Sequence, residues 1–383
     1  MSKLQWVLLL ASSLTVMAGA SVTPALAQIG AHFADYPDVW IKLVITLPAL
    51  FITLASPLTG WLVDRHGRLP VLFFSLALYA LVGAAGGFMD SLLGLLVTRA
   101  LLGVAVAGVM GCATTLIGDY FSGQARQQFM GLQGSFMALG GVVFLNASGW
   151  LALISWRAVF LIYLASLLVA WLAWHTLYEP KKTRSTAPLG DAALIQHFPW
   201  RQCVPVYLLG FMAMSLFYLL PAQMPFLLLE RFGSNSLETA WVVSASTLSG
   251  ALAGLAFGRV KNHLSHPGLY ALAFSLFGLG YGLVVWAPTY AWLLLAVTIS
   301  GFGAGLSFPT GNHWLLSFAD PAWRGRILGG FASVFFMGQF LSPLLAAPIE
   351  ARLGLNGVFW AGSVLALCLS GLLMLTQRVR HSV

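Results

Sequence analysis

Charge is what this chain lacks. Its 383 residues include 19 Lys and Arg and 11 Asp and Glu, 8% in all. A soluble domain carries roughly 25% charged residues, which excludes a water-soluble globular enzyme. Cysteine is scarce as well. Cys112, Cys203 and Cys368 are odd in number and lie in apolar stretches, so neither a disulfide framework nor a zinc site is expected. No Gly-x4-Gly-Lys phosphate loop exists, which disfavours ATP-driven pumping. The alternating ten-residue strands of a membrane β-barrel are missing too. The few titratable residues are scattered, unlike the clusters an integral-membrane hydrolase or transferase needs.

What is present is apolar: 59% of residues are hydrophobic, with 40 Gly and 26 Phe and a mean hydropathy of +0.87. A spanning helix needs about 20 apolar residues, and twelve would use about 240. The apolar segments are 6–28, 40–62, 70–89, 92–118, 127–150, 157–178, 203–228, 239–258, 267–287, 290–317, 325–348 and 356–376. The expected fold is an all-α polytopic membrane protein, twelve transmembrane helices in two six-helix pseudo-symmetric bundles. Lys3, the run from Trp6 to Ala18 and Ala25-Leu26-Ala27 have the outline of a signal peptide. The apolar character continues through Ile29, so a retained first span is expected.

The net charge of +8 reflects the basic bias of cytoplasmic loops rather than a nucleic-acid partner. With both termini inside, fourteen of the nineteen basic residues are cytoplasmic: Lys3, Arg65, Arg68, Arg126, Lys181, Lys182, Arg184, Arg201, Arg259, Lys261, Arg324, Arg326, Arg378 and Arg380. Lys42, Arg157, Arg231 and Arg352 fall outside, and Arg99 lies within a helix. The longest polar stretch divides the chain into a bundle at 1–180, a cytoplasmic linker at 181–202 and a bundle at 203–383. An internal repeat runs at an offset of 198: Arg126, Gly131 and Gly140 recur as Arg324, Gly329 and Gly338.

After the second helix stands Gly60-x3-Asp64-Arg65-x-Gly67-Arg68, then Leu69 and Pro70. It resembles the loop signature of the major facilitator superfamily, and the resemblance extends over the whole chain, toward the 12-helix drug:proton antiporter branch. Leu69 replaces the signature's last basic residue. Gly67 suits a turn with positive φ, and Gly60 a close helix approach. The resemblance implies that Asp64 sits at the N-terminus of the eleventh helix, near Arg324–Gly325. Arg68 needs an acidic partner, and Asp119 is the available one. These contacts would form a conformational latch between helices that separate when the inner side opens. The counterpart after the eighth helix, Gly254-x3-Gly258-Arg259, lacks the acid. The exporters' fifth-helix signature is also incomplete: Gly131, Gly140 and Gly149 remain, but Phe144-Leu145 replaces its Gly-Pro, and a small-Pro pair stands instead at Ser342-Pro343.

Arg99-x3-Gly103 resembles the family's fourth-helix signature, an arginine facing the interior and implicated in proton movement. A guanidinium in the membrane is costly unless paired or wetted. No carboxylate lies deep in a span, so Asp35 or Asp38, His313 and Arg99 are the candidates for a proton or substrate pathway. The resemblance implies that helices one, four, seven and ten line the central path. Its expected wall includes Gln28, Thr115, Phe211, Met214, Phe217, Tyr218, Gln223 and Asn312. Few charges and many Met and aromatic side chains suit an amphipathic organic solute. The expected function is secondary active transport by alternating access, proton-coupled export of a drug or metabolite. Were Arg99 to reach the cavity, an anionic metabolite or siderophore would be the cargo. A non-transporting sensor is the remaining class. The expected protein is a monomer in the bacterial cytoplasmic membrane, with a small-molecule substrate, protons and lipid as partners. No cofactor, metal or nucleic acid is expected.

Overall fold

The computed structural model describes residues 2–180, 198–320 and 323–381. Among the described residues eleven helices are long and apolar enough to cross a membrane, and the last of them is two spans in one. Arg324–His381 breaks at Gly354, where φ of 67° and ψ of −175° leave the helical region. Twelve spans result. The first six are Lys3–His32, Asp38–His66, Arg68–Phe88, Leu92–Tyr120, Gly123–Ile154 and Ala158–Thr176. The second six are Trp200–Phe232, Ser236–Lys261, His266–Val285, Tyr290–Phe318, 324–353 and 355–377. By alternation, the starts of the first and seventh spans and the ends of the sixth and twelfth share one face, here the terminal face; the opposite one is the far face.

Local chemistry sets these boundaries. A helix leaves its first N–H groups without partners, and short polar side chains supply acceptors here. Ser91, Asn235, Ser265 and Thr289 each accept from their own helix's first turn, and Asn235 forms a reciprocal capping box with Glu238. The seventh span begins at Trp200 behind Pro199. Trp200, Arg201 and Gln202 therefore belong to a helix, not to the linker expected through residue 202. Lys181, Lys182 and Arg184 lie outside the described residues.

The halves are built alike. Tyr79 of the third span donates to the Leu14 carbonyl of the first at 2.7 Å, and Tyr281 of the ninth donates to Leu216 of the seventh. Ser148 of the fifth span donates to Ser21 of the first, and Ser342 of the eleventh to Ser215 of the seventh at 2.7 Å. Ser166 of the sixth span bonds Leu76 of the third, as Ser363 of the twelfth bonds Gly278 of the ninth. An added Cβ at Gly140 would meet Ser13 at 2.7 Å, and one at Gly338 would meet Phe211 at 2.5 Å. Ser13 and Phe211 are also 198 residues apart. Lipid provides no hydrophobic force between helices, so small residues and interhelical hydrogen bonds carry the association.

The halves pack through the fifth span against the eighth and the second against the eleventh. On the far-face side, Gln28 Nε2 bonds Ser236 Oγ at 2.9 Å and Asn146 Nδ2 bonds Ser244 Oγ at 2.9 Å. Gly149 there is tight against Ala240 and Leu237. Toward the terminal face the fifth and eleventh spans keep their packing within their own halves, as in Phe129 on Phe121 and Ile327 bonded by Tyr207, but one side of each is free of contact. A Cβ added at Gly131, Gly134, Gly325 or Gly329 would meet no heavy atom within 4 Å. The path between the halves is closed toward the far face.

Candidate substrate path

At mid-depth between the halves lies a cavity of about 250 Å³. The first span contributes Thr15, Gly19 and Thr23, and the second Pro48 and Ile52. Val106 and Met110 come from the fourth, and Met137, Gly141 and Leu145 from the fifth. The other half supplies Met214, Phe217, Tyr218 and Pro221 from the seventh span, Val243 and Thr247 from the eighth, and Phe336 and Gln339 from the eleventh. None of the described lining residues is charged. Such a wall charges no desolvation cost to an apolar solute but a large one to an unpaired ion.

Seven spans build the wall rather than four. The first, fourth and seventh contribute as expected, but the tenth does not; its Ser307 faces an adjoining pocket of about 220 Å³ that shares Met214, Phe217 and Thr247. Of the expected wall residues, Met214, Phe217 and Tyr218 are on it. Gln28 instead joins the halves at the far face. Thr115 hydroxyl bonds its own helix at Gly111. Phe211 and Asn312 are partly exposed away from the lining. Gln223 is fully buried off the cavity, with neither amide atom hydrogen-bonded among the described residues. Gln339 was not among the expected residues; its helix packs across the half boundary, a contact that no local pattern encodes.

Arg99 is completely buried and turns away from the cavity. Its Nη2 donates to the carbonyls of Val82 and Gly83 at 3.3 and 3.0 Å. The guanidinium also lies over the rings of Phe160 and Tyr163, 4.9 and 5.0 Å from their centroids. The third helix proper ends at Ala85, so these carbonyls belong to its last turn, where a cation is favoured by the helix dipole. These contacts join the third, fourth and sixth spans, and Arg99 Nη1 is buried without a hydrogen-bond partner among the described residues.

His313 is likewise off the path. Its Nε2 is 2.5 Å from Lys261 Nζ and its Nδ1 is 2.8 Å from His266 Nε2, which ties the eighth, ninth and tenth spans together within one half. Asp35 and Asp38 are exposed at the far face, Asp38 as the first residue of the second span. Neither lines the cavity.

The loop signature is built around helix termini. Gly67 takes φ of 99° and ψ of 170°, a region that costs side-chain-bearing residues of order 1–3 kcal/mol. Immediately after it, the backbone N–H groups of Arg68 and Leu69 donate to Glu179 Oε1 and Oε2 at 2.7 and 2.8 Å. Glu179, which follows the sixth span, thus occupies the third helix's N-terminus. Arg68 Nε pairs with Asp119 Oδ2 at 2.9 Å. Asp119 is the partner expected for Arg68, and the pair joins the third and fourth spans within the first half. Gly60 meets no heavy atom within 4 Å of an added Cβ and supports no close approach. Arg65 lies over the Trp61 ring at 5.2 Å.

A cross-half ion pair went unnoticed in the sequence. Lys42 of the second span, counted among the outside basic residues, is fully buried. Its Nζ lies 2.5 Å from each carboxylate oxygen of Glu350 on the eleventh span.

Two structurally repeated six-span bundles enclosing a shared mid-membrane cavity define a two-halved integral membrane carrier. The sequence profile described as "Major Facilitator Superfamily" matches residues 8–233 and again 206–382. The chain belongs to that superfamily of membrane transporters. It is similar to the tetracycline resistance protein, class C, of Escherichia coli, with 26% identity across 86% of this chain and 85% of that one. It also resembles the multidrug efflux pump Tap of Mycolicibacterium fortuitum, 26% identical over 38% of this chain and 35% of Tap. The solved structure of a bacterial homolog of the human lysosomal transporter Spinster, in an inward-facing and occupied conformation, superposes with a TM-score of 0.76. That match has 17% identity and covers 98% of this chain and 96% of the other.

Proposed function

We propose that this protein is a secondary active transporter that exports small amphipathic organic solutes in exchange for protons. The terminal face is cytoplasmic in this reading, because most basic loop residues fall there. The conformation described, closed toward the far face, is then the one that loads solute from the cytoplasm. The carrying observation is the uncharged cavity, walled by Met110, Met137, Met214, Phe217, Tyr218 and Phe336 from both halves. Met and aromatic side chains repack around different apolar shapes, and Thr15, Thr247 and Gln339 add a few hydrogen-bonding groups. The names of the similar efflux and resistance proteins point the same way. Cargo of the anionic class loses its support, since Arg99 is turned to the third helix and Lys42 is already paired.

The test is reconstitution. Purified protein in proteoliposomes is given an acid-inside pH gradient, and uptake of tetracycline and ethidium is followed with a protonophore control and a sodium gradient in parallel. Uptake that rises with the pH gradient and collapses with the protonophore is the expected result. Flux driven by sodium alone would remove the proton from the reading, and no gradient-sensitive flux of either probe would overturn it.

A further inference from the structure

We propose that Lys42 and Glu350 form the far-face gate of the transport path, an ionic contact whose making and breaking sets the face to which the cavity opens. This rests on the alternating-access reading above. Four observations carry it. The pair joins the two halves, Lys42 on the second span and Glu350 on the eleventh, at 2.5 Å. It is dry: the side chains are 1% and 17% exposed. Phe226 of the seventh span places its ring 4.9 Å from Lys42 Nζ, and the same ring would be 3.0 Å from a Cβ at Gly30 of the first span. Three spans from both halves therefore meet at one ammonium group, and the first span backs the Phe226 ring.

Of the neighbouring charges, Asp38 adds a Coulombic attraction to the Lys42 ammonium, while the others are engaged elsewhere or exposed. Asp38 lies one turn nearer the far face on Lys42's own helix. His32 of the first span stacks on Phe33 and Trp156. Arg231 of the seventh span bonds the Val284 and Val285 carbonyls and Asn356. Arg352, beyond Glu350 on the eleventh span, is exposed.

The chemistry makes the contact two-state. Buried and touching, each ion compensates the other. Separated and dry, each would be an unpaired charge in low dielectric, which is the costly arrangement. Separation is tolerable only once water reaches both, which requires the second and eleventh spans to part fully at the far face. Half-open states are thus penalised. The loop signature stands at the opposite end of the second span, about 33 Å away at 1.5 Å per residue from residue 42 to 64. A rocking motion that closes one end of this helix pair opens the other.

The experiment reads the gate without any transported solute. Thr23→Cys places a thiol on the cavity wall in a chain carrying Cys368→Ser, since Cys368 is exposed whereas Cys112 and Cys203 are buried. A membrane-impermeant maleimide is applied from the far side of oriented vesicles. Lys42→Gln and Glu350→Gln are each expected to raise the labelling rate at least tenfold. The exchanged pair, Lys42→Glu with Glu350→Lys, is expected to return it to within about threefold of the parent. Unchanged labelling in both single variants overturns the gate, as does an exchanged pair that labels like the singles. Should the neutral variants be missing from the membrane, Lys42→Arg and Glu350→Asp keep the charges at altered reach; a smaller rise supports the gate and no rise overturns it. A normal gate result in vesicles that show no flux would keep this assignment and remove the export reading.

Discussion

The Arg99 guanidinium lies 3.0 Å from the Gly83 carbonyl, on the last turn of a neighbouring helix rather than in the cavity. That contact holds a fully buried charge among the third, fourth and sixth spans, outside the cavity lining.

Arg99→Ala is accordingly expected to destabilise the protein by about 3 kcal/mol or more, because charge-assisted hydrogen bonds contribute about 1.5–3 kcal/mol each. Thermal unfolding in detergent would show it, alongside lower membrane levels. Affinity of the surviving protein for tetracycline should stay within about threefold of the parent. Normal stability with lost affinity would return Arg99 to the substrate path.

Glu179 and Gly67 form one unit at the start of the third span. Gly67→Ala places a Cβ 2.9 Å from Glu179 Oε1 while the backbone keeps φ at +99°. Its expected cost is about 1–3 kcal/mol of stability. Glu179→Ala removes an N-terminal cap and is expected to cost about 1 kcal/mol. Combined, the two should cost less than their sum, since the collision disappears with the carboxylate. Strict additivity in thermal unfolding would show that the contact does not matter.

Gln223 presents the opposite case. Its amide is buried with no hydrogen bond among the described residues, and such an unpaired group costs about 1–3 kcal/mol. Gln223→Leu should raise the unfolding temperature. It should also slow far-side labelling of Thr23→Cys, because Gln223 stands three residues before Phe226, the ring over Lys42. A lower unfolding temperature would mean the amide has a partner in the working protein.

Gln339→Glu would install an acid in an uncharged wall. Ethidium, a cation, should then bind about tenfold more tightly, equivalent to about 1.4 kcal/mol, while a neutral probe such as N-phenyl-1-naphthylamine binds no better. Fluorescence titration reads both. Equal changes for the two probes would mean that Gln339 does not face the bound solute.

Much of this was legible along the chain. Twelve apolar runs of spanning length and the basic loops needed no tertiary information, since the bilayer imposes length and polarity locally. The repeat was visible in glycine spacing, although its firmest signature was not: Tyr79 with Leu14 and Tyr281 with Leu216 are paired at an identical separation of 65 residues. Met214, Phe217 and Tyr218 were expected on the cavity wall, and they are there. Gln28, Thr115, Phe211, Gln223 and Asn312 are not, because a polar residue in a span can equally bond its own helix, a neighbour or the opposite half.

The sequence by itself determined how many times the chain crosses the membrane, how it divides and that its interior carries few charges. Only the tertiary structure decided what each remaining charge does. Lys42 meets Glu350 across 308 residues, Glu179 caps a helix 110 residues before it, and Arg99 donates to the carbonyls of Val82 and Gly83. In lipid an ion must find a partner or water, and which partner it finds depends on the helix packed beside it, a fact that no stretch of chain contains.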